Sequence, residues 1–387
     1  MKRVGVIGGG QLAWMMGAAA KKLGVELIVQ TPNTSDPAVA IASETVFAPV
    51  TDIAATKILA SKCDVITFEN EFVNLEALSP LAQQGACFRP KLEALAFLLD
   101  KYHQRCYLQK LGIPVPKFAA VEQFETKDLG CAVRNVFGFP VVLKSRRHGY
   151  DGQGTFIINN QKALQQKLEF YSLDGLLSNS VFLLEDFIPF VKELAVIGAR
   201  SSDGKVVIYP IVETQQQQQV CRRVIAPADI SLEAAAEINN IACTILNSLE
   251  AVGVFGIELF LCTDGKVIVN EIAPRTHNSG HFSIDACETS QFEQHLRAIC
   301  DFPLGNPSLI CAGAVMVNLL GYERSESDYL AQRQKLKQIP RATVHWYGKT
   351  QSRPGRKLGH VTVLLDHKNR DEAIAIAETI ENIWYQN

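Results

Sequence analysis

The chain has almost no net charge: over 387 residues, 38 Lys and Arg stand against 40 Asp and Glu, leaving −2. So even a balance removes the bulk electrostatic case for nucleic acid or a membrane surface and leaves small molecules as the expected partners. The ten cysteines are scattered, with no Cys-x-x-Cys pair and no metal-type cluster. This argues against a disulfide framework or a zinc site and for reduced thiols in a cytoplasmic enzyme. No apolar run approaches the ~18 residues of a membrane span. Lys2-Arg3, the apolar residues after them and Ala18-Ala19-Ala20 have the outline of a signal peptide, but Gly8-Gly9-Gly10-Gln11 interrupts it too early. The P-loop pattern is missing as well. Gly5-x-x-Gly8-Gly9-Gly10 meets the dinucleotide fingerprint only loosely, with Gln30 where an acid should hold ribose hydroxyls. A phosphate-bearing ligand at this loop is a better reading than a nicotinamide cofactor.

What is present is the composition of a globular protein, 47% apolar and 20% charged, over a length that implies two or three domains. Short apolar runs at 3–7, 26–30, 45–48 and 64–68 alternate with helical stretches at 11–23, 53–62 and 74–84. Alternation of this kind predicts a doubly wound parallel sheet. Arg89-Pro90 breaks the pattern, and 91–111 reads as a helical passage into a second domain. Strands are expected at 181–187, 192–200 and 205–212, a low-complexity loop at Gln215 to Gln219, and a helix at 231–249 with Ser231 as its N-cap. After a linker at Asn306-Pro307, a small mixed domain is expected, with strands at 311–319, 342–347 and 360–365 and helices at 327–339 and 371–384.

Chemistry concentrates in the segment from Val252 to His281. Two runs rich in Val, Ile, Leu and Phe flank Asp264-Gly265, a strong signal for a two-residue type I′ hairpin turn. If Thr263 faces Lys266, Glu258 faces Glu271. Like charges so placed are destabilising unless something positive lies between them, and Mg²⁺ takes such oxygen ligands together with nucleotide phosphates. A solvated strand pair with two unrelated acids is the competing reading. The polar run Arg275-Thr276-His277-Asn278-Ser279-Gly280-His281 follows directly and suits a pocket for an anion. Upstream, an apolar strand delivers Lys144 into a loop with glycines at 149, 152 and 154, a composition able to close over phosphates. A plain basic hairpin tip would have the same residues.

Taken together, the Lys144 loop, Glu185-Asp186-Phe187-Ile188 and the pair Glu258 and Asn270-Glu271 resemble an ATP-grasp enzyme. More closely, GGGQL at 8–12, TFENE at 67–71, HGYDGQGT at 148–155, NEIAPRTHNSGH at 270–281 and YGKTQSRPGRKLGH at 347–360 are similar to the N5-carboxyaminoimidazole ribonucleotide synthetase family of purine biosynthesis. The resemblance spans nearly the whole chain. It implies an ATP-grasp architecture of mixed α/β and α+β class: an N-terminal α/β domain at 1–98, an ATP-grasp domain at 99–306 and a C-terminal domain at 307–387, usually in a homodimer.

The resemblance also implies roles. Lys101 and Lys144 would contact ATP phosphates under a loop made of Gly149, Tyr150, Asp151, Gly152, Gln153, Gly154 and Thr155. Glu185, Asp186, Phe187 and Ile188 would hold adenine, Glu193 ribose, and Glu258 with Glu271 Mg²⁺ beside Asn270. Gln11, Leu12, Glu71, Asn278, Lys349, Arg356 and Lys357 would bind aminoimidazole ribonucleotide, while Tyr150, Arg275 and His277 surround the carboxylation centre with Lys144. Bicarbonate is the expected third substrate, activated as carboxyphosphate. The loop at 149–155 is expected to close over that intermediate and exclude water. Two positions depart from the family: Gln216 stands where a nucleotide-contacting His is usual, and Gln153 where Arg is frequent. The nearest rival within the superfamily is formate-dependent glycinamide ribonucleotide formyltransferase. A nicotinamide oxidoreductase and a non-catalytic nucleotide sensor are rivals of other classes.

Overall fold

The computed structural model describes residues 1–124, 129–147, 149, 154–173 and 182–385. The N-terminal strands β1 (Arg3–Ile7), β2 (Glu26–Thr31), β3 (Glu44–Phe47) and β4 (Val65–Phe68) form the expected parallel sheet in the order β3-β2-β1-β4. Gly24, in the left-handed region at φ 65°, ends the helix Gln11–Leu23, where its lack of a Cβ makes that conformation inexpensive. Gln30 is fully buried, bonding the Pro49 and Asp52 carbonyls and the Thr56 hydroxyl. It is a core group, so the dinucleotide reading loses its ribose contact.

The predicted helical passage at 91–111 divides in two, Leu92–Leu98 and Lys101–Lys110, with Asp100 accepting from Tyr102 N and His103 N as the second N-cap. A small antiparallel sheet follows. Strands β5 (Phe118–Ala120), β6 (Val141–Ser145), β7 (Thr155–Ile158) and β8 (Phe182–Asp186) pair in the order β5-β8-β6-β7. The remaining strands are β9 (Phe190–Arg200), β10 (Val206–Ile208), β11 (Val212–Gln217), β12 (Val220–Ala226), β13 (Gly253–Cys262), β14 (Val267–Ala273), β15 (Gly313–Leu320), β16 (Ala342–Trp346) and β17 (Lys357–Leu365). They form one sheet in the order β14-β13-β9-β11-β12-β15-β17-β16, with β10 on β9. Arg223 to Ala226 pair directly with Val317 to Ala314, so the hydrogen-bond ladder runs unbroken into the C-terminal strands.

On one face of this sheet, Ile238, Ile241, Ile245 and Leu246 of the helix Leu232–Leu249 pack on Leu194, Val196, Phe255 and Ile257. Removing each such side chain from water contributes roughly 1.5–3 kcal/mol. Ser231 caps that helix as expected, accepting from Ala234 N. Elsewhere the N-terminal helix Gln11–Leu23 shares a core with Phe292 and Leu296 of the helix Gln291–Ile299 and with Tyr347, so the first domain docks on the other two.

The glutamine run departs from the expectation of a loop. Gln215 to Gln217 belong to β11 and pair with β12, and only Gln218 and Gln219 turn the chain, both at positive φ (52° and 63°). Pairing of Gln215 to Gln217 with β12 overrides the compositional signal, while β9 pairs only with the preceding Val212 to Thr214. Gln218→Gly should therefore raise the unfolding free energy by about 0.5–1 kcal/mol, because relief of the left-handed strain exceeds the added chain entropy. Gln217→Gly, within the strand, should lower it by roughly 0.5–1 kcal/mol. Urea denaturation of both variants reads the sign, and equal effects would mean that the two positions share one conformation.

Candidate active site

A cleft of about 670 Å³ opens where the small sheet, the large sheet and the N-terminal domain meet. Its lining includes Lys144 and Glu185 from β6 and β8, Glu193 from β9, Glu258 from β13, Asn270 and Glu271 from β14, and Gly10, Gln11 and Leu12 from the first Gly-rich turn.

The acidic pair owes its placement to an irregularity. Cys262 N donates to Lys266 O (2.9 Å) and Gly265 N to Cys262 O (3.0 Å), with Gly265 at φ 83°. The turn thus has three residues, and Cys262, not Thr263, faces Lys266; the expected two-residue turn is replaced by a type I turn closed by a left-handed glycine. Along the strands Leu259 pairs with Val269, yet Glu258 still pairs with Glu271, because a bulge at Asn270 restores the register. The pairing was therefore expected from a turn that does not form. An extra residue also changes which way side chains point. In an uninterrupted strand Asn270 and Glu271 would face opposite sides of the sheet, whereas here both line the cleft.

Around these acids the charges are arranged in relay. Glu271 is ion-paired with Lys101. Asn270 donates to Glu258 Oε2 (3.2 Å) and accepts from Lys144 Nζ (2.9 Å). Burial, and then the Glu271 charge, raise the Glu258 carboxyl above its ordinary range. For Glu271 burial also opposes ionisation, but Lys101, Lys144 and Arg105 outweigh it and hold the carboxyl below its ordinary range. Glu258, Asn270 and Glu271 offer hard oxygen, and one acid is destabilised by the other, so these three residues would suit Mg²⁺.

Lys144 is itself buried, and its Nζ lies 2.7 Å from Glu185 Oε2. The other oxygen of Glu185 takes Arg105 Nε at 2.6 Å. Glu185 is held at about 2, burial being outweighed by Arg105 and Lys144. With its carboxylate so occupied, what Glu185 itself can offer a ligand is backbone. The apolar wall of this half comes from Val142, Ile157, Phe187, Phe190 and Phe260, the last two rings stacking at 4.7 Å. Glu193 is raised to about 7 by burial and then by Glu258. Gln216 lies on the rim.

In the other half, Arg275 Nε meets Glu71 Oε1 at 2.8 Å, and Lys349 Nζ bonds Gln11 Oε1 (2.7 Å) and the Lys357 carbonyl (2.8 Å). Asn278 exchanges both amide bonds with Asn318 (2.9 and 2.8 Å). Gln11, Leu12, Glu71, Arg275, His277, Asn278 and Lys357 line the cleft; Lys349 reaches it through Gln11. Arg356 is turned away, donating to the Gln351 carbonyl at 2.6 Å. A side chain at Gly256 would collide with His277, so that glycine lets the imidazole lie over β13. His277 Nδ1 lies 2.8 Å from Ser279 Oγ, and its Nε2 lies 3.4 Å from Glu258 Oε1.

Tyr150, Asp151, Gly152 and Gln153 lie outside the described residues. Sequence reasoning missed Glu69, Arg105 and Asn318. Glu69 lines the cleft beside Gly10, accepts from Leu12 N (3.4 Å), and is raised by burial, with Arg275 opposing. Its signal was the same TFENE string that supplied Glu71. Asn318 and Arg105 act across 40 and 80 residues or more of sequence, and nothing local marks them. One further group, Asp285, His345 and His360, gathers ligand-type atoms. The two imidazoles stack with 18° between planes, so their lone pairs do not converge on one ion.

Comparison with known proteins covers every region of the chain. The sequence models of the ribonucleotide synthetase preATP-grasp domain, the ATP-grasp domain and the phosphoribosylaminoimidazole carboxylase C-terminal domain match residues 1–98, 106–292 and 314–374. The chain is 53% identical to N5-carboxyaminoimidazole ribonucleotide synthase of Synechococcus elongatus, over 99% of this chain and 96% of that protein. Its fold matches N5-carboxyaminoimidazole ribonucleotide synthetase of Thermotoga maritima at TM-score 0.85 and 40% identity, covering 98% of both chains. It also matches the Aspergillus clavatus enzyme in complex with ADP and 5-aminoimidazole ribonucleotide, at TM-score 0.90 and 31% identity, over 100% of this chain and 99% of that one.

The opposite perturbations of the two acids make a signed prediction. A carboxyl raised in the folded state costs stability at every pH above its raised value; a depressed one contributes stability above the unfolded pKa and loses it as pH falls through the folded value. At pH 7 without divalent metal, Glu258→Gln should raise the Tm and Glu271→Gln, which strands Lys101, should lower it. Both should cut turnover by roughly 10²-fold or more. Near-normal Mg²⁺-dependent ADP release by both variants would remove the metal assignment.

Proposed function

The chain belongs to the N5-carboxyaminoimidazole ribonucleotide synthase family of ATP-grasp ligases, and we propose here how its cleft divides that family's reaction. The enzyme uses ATP to carboxylate 5-aminoimidazole ribonucleotide, forming a C–N bond in purine biosynthesis. The observation that carries the division of labour is the continuity of the cleft. Lys144 and the Glu258, Asn270 and Glu271 set occupy one half, and Arg275, His277, Lys357 and the Gln11-Leu12 turn the other.

In the first half, adenine lies against Phe187, Phe190 and Phe260, and Glu193 reaches its ribose. Lys101 and Lys144 take the phosphates, each already tethered by a carboxylate partner. A magnesium ion held by Glu258 and Glu271 would offset the negative charge on the phosphate oxygens. A bicarbonate oxygen attacks the γ-phosphorus, the bond to the β-phosphate oxygen breaks, and ADP leaves. The demand on the protein is positioning and cationic stabilisation of charge spread over the transferring oxygens. The product, carboxyphosphate, passes its carboxyl carbon to the exocyclic amine of the ribonucleotide, inorganic phosphate departs, and the amine loses a proton. Arg275 faces this anion from the junction of the halves, with the His277 imidazole beside it. Tyr150 is assigned to the same centre on the family resemblance.

In the second half, Gln11, Leu12, Glu69, Glu71 and Asn278 form the ribonucleotide side, with Lys357 as its cation and Lys349 holding Gln11 in place. Arg356 needs only to turn from Gln351 to join them. The division into 1–98, 99–306 and 307–387, a homodimeric assembly and a cytoplasmic location complete the reading, on the resemblance of the motifs.

The decisive assay is ADP release with 5-aminoimidazole ribonucleotide, comparing bicarbonate with formate. Bicarbonate should support release, and a preference for formate would transfer the chain to the formyltransferase reading. Within the cleft, Lys144→Ala should raise the ATP requirement. Lys349→Ala should raise the ribonucleotide requirement, each by one to two decades for a charge-assisted contact of roughly 1.5–3 kcal/mol. Weaker ATP use in Lys349→Ala with the ribonucleotide KM unchanged would show the second half to be misassigned.

A further inference from the structure

Beneath the nucleotide half lies a buried ion cluster that joins three elements and has one member, Arg105, outside the cleft lining. Arg105, on the helix Lys101–Lys110, is 1% exposed. Its Nε donates to Glu185 Oε1 at 2.6 Å on the small sheet, and its Nη2 donates to the Asn270 carbonyl at 2.5 Å on the large sheet. Glu185, also 1% exposed, gives its second oxygen to Lys144 at 2.7 Å. Lys144 in turn donates to the Asn270 side chain at 2.9 Å. The four groups close a ring: Arg105, Glu185, Lys144, Asn270 and back to Arg105. Both sheets that enclose the cleft are members.

We propose that Arg105 is a positioning residue for the ATP half-reaction, which sets the place and the effective charge of Lys144 by sharing the Glu185 carboxylate. This rests on the reading of Lys144 as the phosphate cation. A buried carboxylate with a single cationic partner neutralises it, because at low dielectric opposite charges in contact cancel at a distance. With Arg105 present, one anion serves two cations, and the cluster keeps a net positive charge, presented on Lys144 where the cleft begins. Without Arg105, Glu185 would hold Lys144 alone and draw it from Asn270, and the bulge carbonyl that fixes Asn270 would lose its donor. Arg suits the position better than Lys, since its planar fork reaches the carboxylate and the strand carbonyl together, where an ammonium is a single point.

The test is a double-mutant cycle in the full-length enzyme. Arg105→Met should lower kcat/KM for ATP by about tenfold or more, with the KM for ribonucleotide changed by less than about threefold. Arg105→Lys should recover part of the loss. In a Glu185→Gln background, which removes the shared anion, Arg105→Met should cost at most a few-fold, because coupled residues are not additive. Circular dichroism and Tm identify any variant that fails to fold; for Arg105→Met, Arg105→Lys then carries the test, with a smaller loss confined to ATP. Additive losses in the cycle, or equal losses toward ATP and ribonucleotide in a folded variant, would overturn the proposal. If Lys144→Ala leaves ATP use intact, the underlying reading of Lys144 has failed, whereas Lys144→Ala impaired with an additive cycle rejects the role of Arg105 alone.

Discussion

One extra residue in a strand sets the geometry of this site. Asn270 sits in a bulge opposite Glu258 and Leu259, and the bulge turns two successive side chains into the same cleft. A regular hairpin would have sent either Asn270 or Glu271 to the far face, leaving the acids without the amide that ties Glu258 to Lys144. The cost is a buried carboxyl next to another, and the raised Glu258 records it. The gain is a row of oxygen ligands and a lysine within a few ångströms, held before any substrate arrives. Preorganisation of this kind lets a site stabilise charge without rearranging at the moment of reaction.

The rest of the fold supports that row from both sides. The small sheet supplies Lys144 and Glu185 from adjacent antiparallel strands, where Leu143 and Leu184 pair directly and lock the register of their neighbours. The large sheet supplies the acids. Because its ladder continues from β12 into β15 and on to β17, Lys357 at the start of β17 is positioned by the same hydrogen-bonded surface that carries Glu258. The N-terminal domain closes the far end through the packing of Gln11–Leu23 on Gln291–Ile299. That contact brings Gln11 to Lys349, 338 residues away in sequence.

Charges around the half of the cleft that holds Lys144 are paired so that Arg105, Lys144 and Lys101 outnumber the anions they contact. Arg105 and Lys144 share Glu185, while Lys101 holds Glu271. In the half lined by Gln11, Arg275 and Asn278 the acids recur as tethers: Glu71 fixes Arg275, and Glu69 lies under the Gly-rich turn. Buried pairs of this sort add little net stability. Their value here is that long, flexible side chains are already fixed in direction.

Much of this was legible in the residues themselves. Hydrophobic alternation located β1 and the helix Gln11–Leu23 to the residue, and the N-cap of Leu232–Leu249 could be read from Ser231. The motif strings singled out Lys144, the acidic pair and the Arg275 to His281 run, which the structure gathers in one cleft, because each is contiguous and chemically distinctive. Local signals failed where a partner strand decides. The glutamine run begins as a strand because β12 pairs with Gln215 to Gln217, and Glu258 meets Glu271 through a bulge that compensates for a different turn. The sequence by itself determined which residues carry charge, which segments are strands of the core and where glycine permits a sharp turn, since these depend on side-chain chemistry and local sterics. Only the tertiary structure decided that Asn270 and Glu271 face one way, that Glu185 is a shared counter-ion and that Arg105, Glu69 and Asn318 belong to the site, because those facts follow from register and packing between segments scores of residues apart.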